Sequence, residues 1–288
     1  MTTTEEPVGE PASLVKVALV TGANQGLGFA LVKAICKEFP QGTVVYMGVR
    51  SMEKGGQAAA ELKKLGLTCK PIMCDVSKDS SVKECAEKII SEHKNGLDIL
   101  IHNAAARIHK DKDKSEQVEN FINTNNLGTT RMVRSFAPIM AQGSHFLILA
   151  SSYGSLTKLD KSKHELFNVS KCSIDDIDKV MLDYAEDVKL KKDMDKKWPE
   201  WINVPSKIGQ VAVAKILAQD AAILKRDVLV HAVCPGLIDT AASRPWFADM
   251  SKAVTPNEAA VDLIWLLQNR FKKFHGVLVK NRKAWPWI

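Results

Sequence analysis

Long apolar runs are missing from this 288-residue chain: none approaches the roughly eighteen residues that crossing a bilayer requires, which argues against a membrane role. The first residues, Met1-Thr2-Thr3-Thr4-Glu5-Glu6-Pro7, have neither a basic start nor an apolar stretch, so a cytoplasmic protein is expected. The six cysteines (Cys36, Cys69, Cys74, Cys85, Cys172, Cys234) form no CxxC pair and no His/Cys cluster of metal-ligand spacing. Reduced, mostly buried thiols and no metal site are therefore expected. Charge of one sign is scarce in any one place. The formal net charge is +7, but residues 110–114 alternate lysine with aspartate and residues 189–197 mix the two. That pattern reads as a solvated surface, not a nucleic-acid face, while the overall positive field favours an anionic ligand. Tyrosine is rare too, present only as Tyr46, Tyr153 and Tyr184. No internal repeat or low-complexity tract appears, and a hydrophobic fraction of 45% with 25% charged residues excludes the disordered and fibrous classes.

Residues 1–14 are threonine, glutamate, proline and glycine with little to pack, and are expected to form a flexible tail ahead of one domain, 15–288. Strand and helix patterns then alternate. Strands are expected at 15–20, 43–49, up to 74, 97–101, 145–149 and 228–233. Between them helices are expected at 28–39, 51–65, 80–93 and 128–140, after Pro205 and after Pro256. The strands are nearly continuous in apolar residues, so both faces are buried, as in a parallel sheet covered by helices on each side. The fold class is α/β, a Rossmann-type doubly wound sheet. One stretch, about 155–200, is lysine- and aspartate-rich and too long for a simple connection, and reads as an insertion with its own helices near the mouth of the site.

The first strand runs directly into Thr21-Gly22-Ala23-Asn24-Gln25-Gly26-Leu27-Gly28 and then a helix. Glycines here permit a tight turn and close approach of the backbone to a pyrophosphate, whose charge the helix N-terminus favours. A glycine triplet alone is weak evidence, but between a first strand and a helix of an alternating α/β pattern it is a strong sign of a dinucleotide site. The second strand closes on Gly48-Val49-Arg50, where an NAD-binding protein usually offers an acid to the ribose. Arg50 can instead hold a 2′-phosphate bidentately, which points to NADP(H).

These residues resemble the short-chain dehydrogenase/reductase family along almost the whole chain after the tail. The family's TGxxxGxG turn is matched by Thr21 to Gly28, and its adenine-contacting acid by Asp75 followed by Val76. Its NNAG element appears as His102-Asn103-Ala104-Ala105, with Asn103 and Ala104 kept. Its catalytic asparagine falls on Asn125, its serine on Ser152, and its PG element with a nearby threonine on Pro235-Gly236 and Thr240. The 155–200 stretch, Trp198-Pro199 and Lys207-Ile208-Gly209 are most similar to monomeric carbonyl reductases, which reduce ketones, aldehydes and quinones with NADPH. The resemblance thus implies a small-molecule carbonyl or quinone substrate, an NADP(H) cofactor and a monomer.

The same resemblance implies a tyrosine four residues before a lysine, and here the chain departs from the family. Two segments compete: Phe167-Asn168-Val169-Ser170-Lys171 and Asn203-Val204-Pro205-Ser206-Lys207. The second is followed by a small-residue helix able to pack on the sheet and then by the next strand, so the motif is placed at Asn203 and Lys207. Either register lacks the phenol. An asparagine amide donates a hydrogen bond but does not surrender a proton at neutral pH, so the proton must come from water, Ser152 or a relocated group such as Tyr153. Activated substrates such as quinones would suffer least. The alternative is a catalytically weak or inactive NADP(H)- or ligand-binding protein. Trp246 and Phe247 either cover the nicotinamide side or serve packing alone.

Overall fold

The chain from residue 15 onward reads as a sheet wrapped on both faces, and the computed structural model, which describes residues 15–288, has that form. The expected flexible tail, 1–14, lies outside the described residues. The strands are β1 (Val17–Thr21), β2 (Val44–Val49), β3 (Lys70–Met73), β4 (Leu97–His102), β5 (Met140–Leu149), β6 (Leu229–Cys234), β7 (Val277–Lys280) and β8 (Lys283–Trp285). The helices are α1 (Gly26–Glu38), α2 (Met52–Lys64), α3 (Asp79–Glu92), α4 (Lys114–Ile122), α5 (Gly128–Phe136), α6 (Ile174–Lys189), α7 (Asn203–Leu217), α8 (Ala221–Lys225) and α9 (Pro256–Gln268). Among the described residues the strands form one sheet in the order β3-β2-β1-β4-β5-β6-β7-β8, parallel except for the final β7–β8 pair.

Two cores lie on the two faces, because the strands are apolar on both sides. One joins Leu31 and Ile35 of α1 with Leu62 of α2 and Leu263 and Leu267 of α9. The other joins Ile89 of α3, Phe121 of α4, Phe136 of α5, Tyr184 of α6 and Ile208 of α7. Each fully buried Leu, Ile or Phe side chain contributes about 1.5–3 kcal/mol. Helix α9 starts on a reciprocal cap in which Thr255 and Glu258 satisfy each other's backbone N–H, and α6 starts on the same device with Ser173 and Asp176.

Sequence order reverses direction between β1 and β4, so the crevice opens at the carboxyl ends of those strands, where such sheets take their ligands. Between β5 and α7 the chain makes short 3₁₀ turns (Ser152–Gly154, Leu156–Lys158, Lys161–Phe167), then α6, which lies across α7 so closely that a Cβ on Gly209 would meet Met181 Sδ at 2.7 Å. The carboxyl end of the chain returns to this region. The Trp287 carbonyl accepts from the Leu156 N–H (2.7 Å) and from the Ser155 hydroxyl (3.1 Å).

Candidate active site

Each strand from β1 to β6 is followed within three residues by a candidate residue. β1 ends at Thr21, and Gly22 follows with φ +62°, a conformation that suits glycine. There is also no room for a side chain, since a Cβ on Gly22 would sit 2.8 Å from Ala104 Cα. Asn103 fixes the turn from β4: its Nδ2 donates to the carbonyls of Thr21 (2.9 Å) and Gly22 (3.2 Å). Gly28 packs under the turn. Helix α1 begins at Gly26 without a side-chain cap from Gln25 and with no acid in its first turn. Its first N–H groups, on Gly26, Leu27 and Gly28, therefore face the crevice edge without intrahelical partners, a concave donor set that suits a pyrophosphate. Asn24 and Gln25 form the exposed or half-buried crest of the turn, and the Thr240 methyl lies 3.8 Å from where a Gly26 Cβ would be.

The remaining cofactor candidates follow the carboxyl ends of β2, β3 and β6. Register pairs Thr21 with Gly48, which puts exposed Arg50 just past the end of β2 beside the turn. Asp75, after β3, spends Oδ1 on the N–H (3.1 Å) and hydroxyl (2.7 Å) of Ser77. Val76 packs on Gly128, where a Cβ would meet the Val76 carbonyl at 3.1 Å. Pro235 and Gly236 follow β6, and Gly236 has φ +81°. The residues present fit a dinucleotide: a glycine cradle that a Cβ would fill, free helix N–H groups and an arginine at the ribose end.

Asn125 sits in a single turn of π-helix, residues Asn123–Leu127, between α4 and α5, a distortion that recurs at functional positions. Its Oδ1 accepts from the Ala106 N–H at 2.7 Å. Neighbouring Asn126 donates through Nδ2 to the Ser206 carbonyl (2.9 Å), tying the turn to α7. After β5, the two serines divide. Ser151 Oγ caps the 3₁₀ turn by accepting from the Tyr153 N–H (3.3 Å), which leaves Ser152 Oγ without a hydrogen bond among the described residues. Gly154 presses that turn onto α7; a Cβ there would lie 2.8 Å from the Lys207 carbonyl.

The two competing lysines lie in different settings. Lys171 is exposed and paired with Glu165 at 2.7 Å, and Phe167 is buried in the core. Lys207 reaches under β5, where its Nζ donates to the Leu149 carbonyl (3.2 Å) and to Gln210 Oε1 (2.7 Å). Burial pushes the Lys207 ammonium down to about 8. Asn203 opens α7, half-buried, with Pro205 in the first turn where a missing N–H costs nothing.

Sequence reasoning missed three residues. Trp201, two places before Asn203, meets Tyr153 edge to face (centroids 5.0 Å) and Trp246 tilted (5.9 Å), making an aromatic wall on the rim. Lys110 Nζ lies 5.6 Å from the Trp246 ring centre. The other two, His102 and Gln210, are buried behind the site and are bridged by Thr129. The i, i+3 spacing of Lys207 and Gln210 on one helix was the available signal.

The sequence pattern of the short chain dehydrogenase family matches residues 16–162. Carbonyl reductase [NADPH] 1 of Mus musculus is 29% identical over 280 residues, covering 94% of this chain and 98% of that protein. Carbonyl reductase [NADPH] 3 of Rattus norvegicus is 27% identical over 282 residues, covering 96% and 100%. Among solved structures, salutaridine reductase from Papaver somniferum superposes with a TM-score of 0.78 at 21% identity, covering 92% of this chain and 99% of that one. NADPH-bound carbonyl reductase from chicken fatty liver gives 0.67 at 19% identity, covering 95% and 99%. At these identities the structural likenesses show the fold.

Proposed function

Since this chain belongs to the short chain dehydrogenase family, we propose that it is an NADPH-dependent reductase of small carbonyl or quinone substrates with altered proton delivery. The observation that carries this reading is the convergence, on one crevice, of the glycine cradle, the unbonded Ser152 hydroxyl and the enclosed Lys207 ammonium. Gly22, Gly26 and Gly28 with the first N–H groups of α1 would take the pyrophosphate, Asp75 and Val76 the adenine side, Arg50 the 2′-phosphate, and Asn103, Pro235, Gly236 and Thr240 the remaining wall. When bound, NADPH supplies a hydride. Ser152 holds the substrate oxygen by its O–H, Lys207 orders the ribose, and Asn125 braces the floor through Ala106. Asn203 donates a hydrogen bond to the oxygen but no proton, so the proton comes from water or from a phenol or hydroxyl on the rim.

Loss of a general acid costs a factor of about 10² to 10⁴, so substrates whose reduced oxygen is already a stabilised anion lose least. The wall of Tyr153, Trp201 and Trp246 suits a flat conjugated ring of that kind. The chain acts as a monomer in the cytoplasm in this reading: α6 covers α7, and no helix among the described residues is long and apolar enough to cross a membrane.

Asn203 itself favours a second reading, a protein that binds NADP(H) and turns nothing over. Titration of NADPH by its fluorescence, followed by its oxidation over a panel of quinones, dicarbonyls and ketones, separates the two. Tight binding with no oxidation above background on any quinone or dicarbonyl would leave only the second.

A further inference from the structure

Behind the crevice runs an unbroken line of buried polar side chains that neither the cofactor cradle nor the substrate wall explains. Gln210, Thr129, His102 and Thr21 are each at most 1% exposed. Groups so buried carry a cost unless every donor and acceptor is matched, and here the matching fixes the direction of every bond. Lys207 has only donors, so Gln210 Oε1 accepts at 2.7 Å and its Nε2 must donate onward, to Thr129 Oγ1 at 3.1 Å. The Thr129 hydroxyl donates to the Asn125 carbonyl (2.6 Å), so toward His102 Nε2, 3.1 Å away, it can only accept. His102 therefore carries its proton on Nε2. Burial, then the charge of Lys207, pushes the imidazole down to about 3, so it is neutral and its Nδ1 is an acceptor. That acceptor takes the Thr21 hydroxyl at 3.1 Å. Thr21 Oγ1 in turn accepts from the N–H groups of Asn103 and Ala104, both at 3.0 Å.

We propose that Gln210 is a positioning residue that fixes the Lys207 ammonium at the end of β5 and couples it, through Thr129 and His102, to the Thr21 turn that opens the cofactor cradle. At position 203 stands an amide without the family's phenol, and the side chain that accepts from Lys207 is Gln210. The Leu149 carbonyl supplies the other bond, from the backbone. The titratable groups set against the ammonium are His102 on β4, held neutral, and the Cys234 thiol at the end of β6. Gln210 thus keeps a partly desolvated amine protonated and aimed, as a neutral acceptor in low dielectric does. For the cofactor the proposal rests on the reading of the crevice above, but the coupling itself belongs to the apo protein.

The test is a lysine Nζ titration by NMR on the full chain without cofactor, with Lys207 assigned by Lys207→Arg. The wild-type midpoint is expected near 8. Gln210→Leu, which removes the acceptor, lowers it by about one unit or more, and Gln210→Glu, nearly the same shape but charged, raises it by a similar amount. Melting curves come first, and Gln210→Glu decides if the leucine variant does not fold. In the wild type itself the Gln210 side-chain amide signals shift at the Lys207 midpoint, so amide signals that stay still through the titration overturn the proposal without any variant. So do midpoints that coincide in the folded variants. NADPH affinity, measured by fluorescence across the same pH range, is expected to fall at the midpoint of each protein. Absence of NADPH binding, with the midpoints moving as stated, counts against the cofactor reading and leaves the coupling standing.

Discussion

A single methyl group added at Gly28 tests the cofactor cradle most directly. Built on the backbone, the Cβ of Gly28→Ala lies 2.5 Å from the Gly22 carbonyl oxygen, 2.6 Å from Asn103 Nδ2 and 2.8 Å from Ala23 Cα. None of the three can swing aside, because two are backbone and Asn103 is held by bonds to Thr21 and Gly22. Restoring the 3.4 Å of ordinary contact to the carbonyl opens the turn by about 0.9 Å. Overpacking of this kind costs about 1–3 kcal/mol, which in a chain of this size lowers the melting temperature by roughly 2–4 °C per kcal/mol. The same displacement carries N–H groups from about 2.9 Å to beyond hydrogen-bond range of a phosphate oxygen. Losing one or two charge-assisted bonds of about 1.5–3 kcal/mol each weakens NADPH binding by about 10- to 10⁴-fold. Fluorescence titration gives the affinity, and a thermal melt shows that the chain is folded at the assay temperature. Gly56→Ala is the control: nothing lies within 4 Å of its Cβ, so NADPH binding stays unchanged and α2 gains about 0.5–1 kcal/mol. Binding within threefold of wild type in folded Gly28→Ala would refute the assignment of the cradle.

Arg50→Ala should weaken NADPH by about 10- to 100-fold through loss of charge-assisted bonds while leaving NADH affinity unchanged; equal losses for both cofactors would place Arg50 away from the 2′-phosphate. Asn203→Tyr is expected to raise turnover of an unactivated ketone by about 10² to 10⁴ and of a quinone far less. A uniform gain across the panel would mean that proton delivery is not what limits the natural protein. Acid should unfold the chain early. Burial holds His102 at about 3, His231 at about 4 and His145 well below its ordinary value. Below their unfolded value of about 6.5 the unfolded chain binds more protons than the folded one, so stability is full above that pH and falls as pH drops toward 4. Each such histidine contributes a slope of up to about 1.4 kcal/mol per pH unit. Urea unfolding at several pH values measures it, and a flat profile between pH 6.5 and 4 would show these rings to be solvated.

The first half of the sheet was legible because strand, glycine turn and helix carry independent signals that agree: a strand expected at 15–20, a tight glycine turn and a helix expected at 28–39 correspond to β1, the Gly22 conformation and α1. Helix α4 was not. The lysines and aspartates of 110–114 read as a solvated surface that hides its start, and its N-cap, Asp113 accepting from the Ser115 N–H, and its buried Val118, Phe121 and Ile122 show the helix. Helix α7 begins at Asn203, ahead of the expected start at Pro205, since proline is tolerated in a first turn. The β7–β8 hairpin was missed because four- and three-residue strands with no helix after them leave no period to detect, and β8 adds the one antiparallel pair among the described residues. The His102–Thr129–Gln210 line was beyond reach for another reason. Its members lie 27 and 81 residues apart, and only the folded sheet makes them neighbours.

The bonds from Ser155 and Leu156 to the Trp287 carbonyl have a practical side. They clamp the stretch just after Ser152 from Trp287, which lies beyond β8. A change that removes Trp287 therefore acts on the candidate crevice and is not neutral. Protein with and without Trp287 should differ in how firmly Ser152 is held, so measurements on the two are not interchangeable.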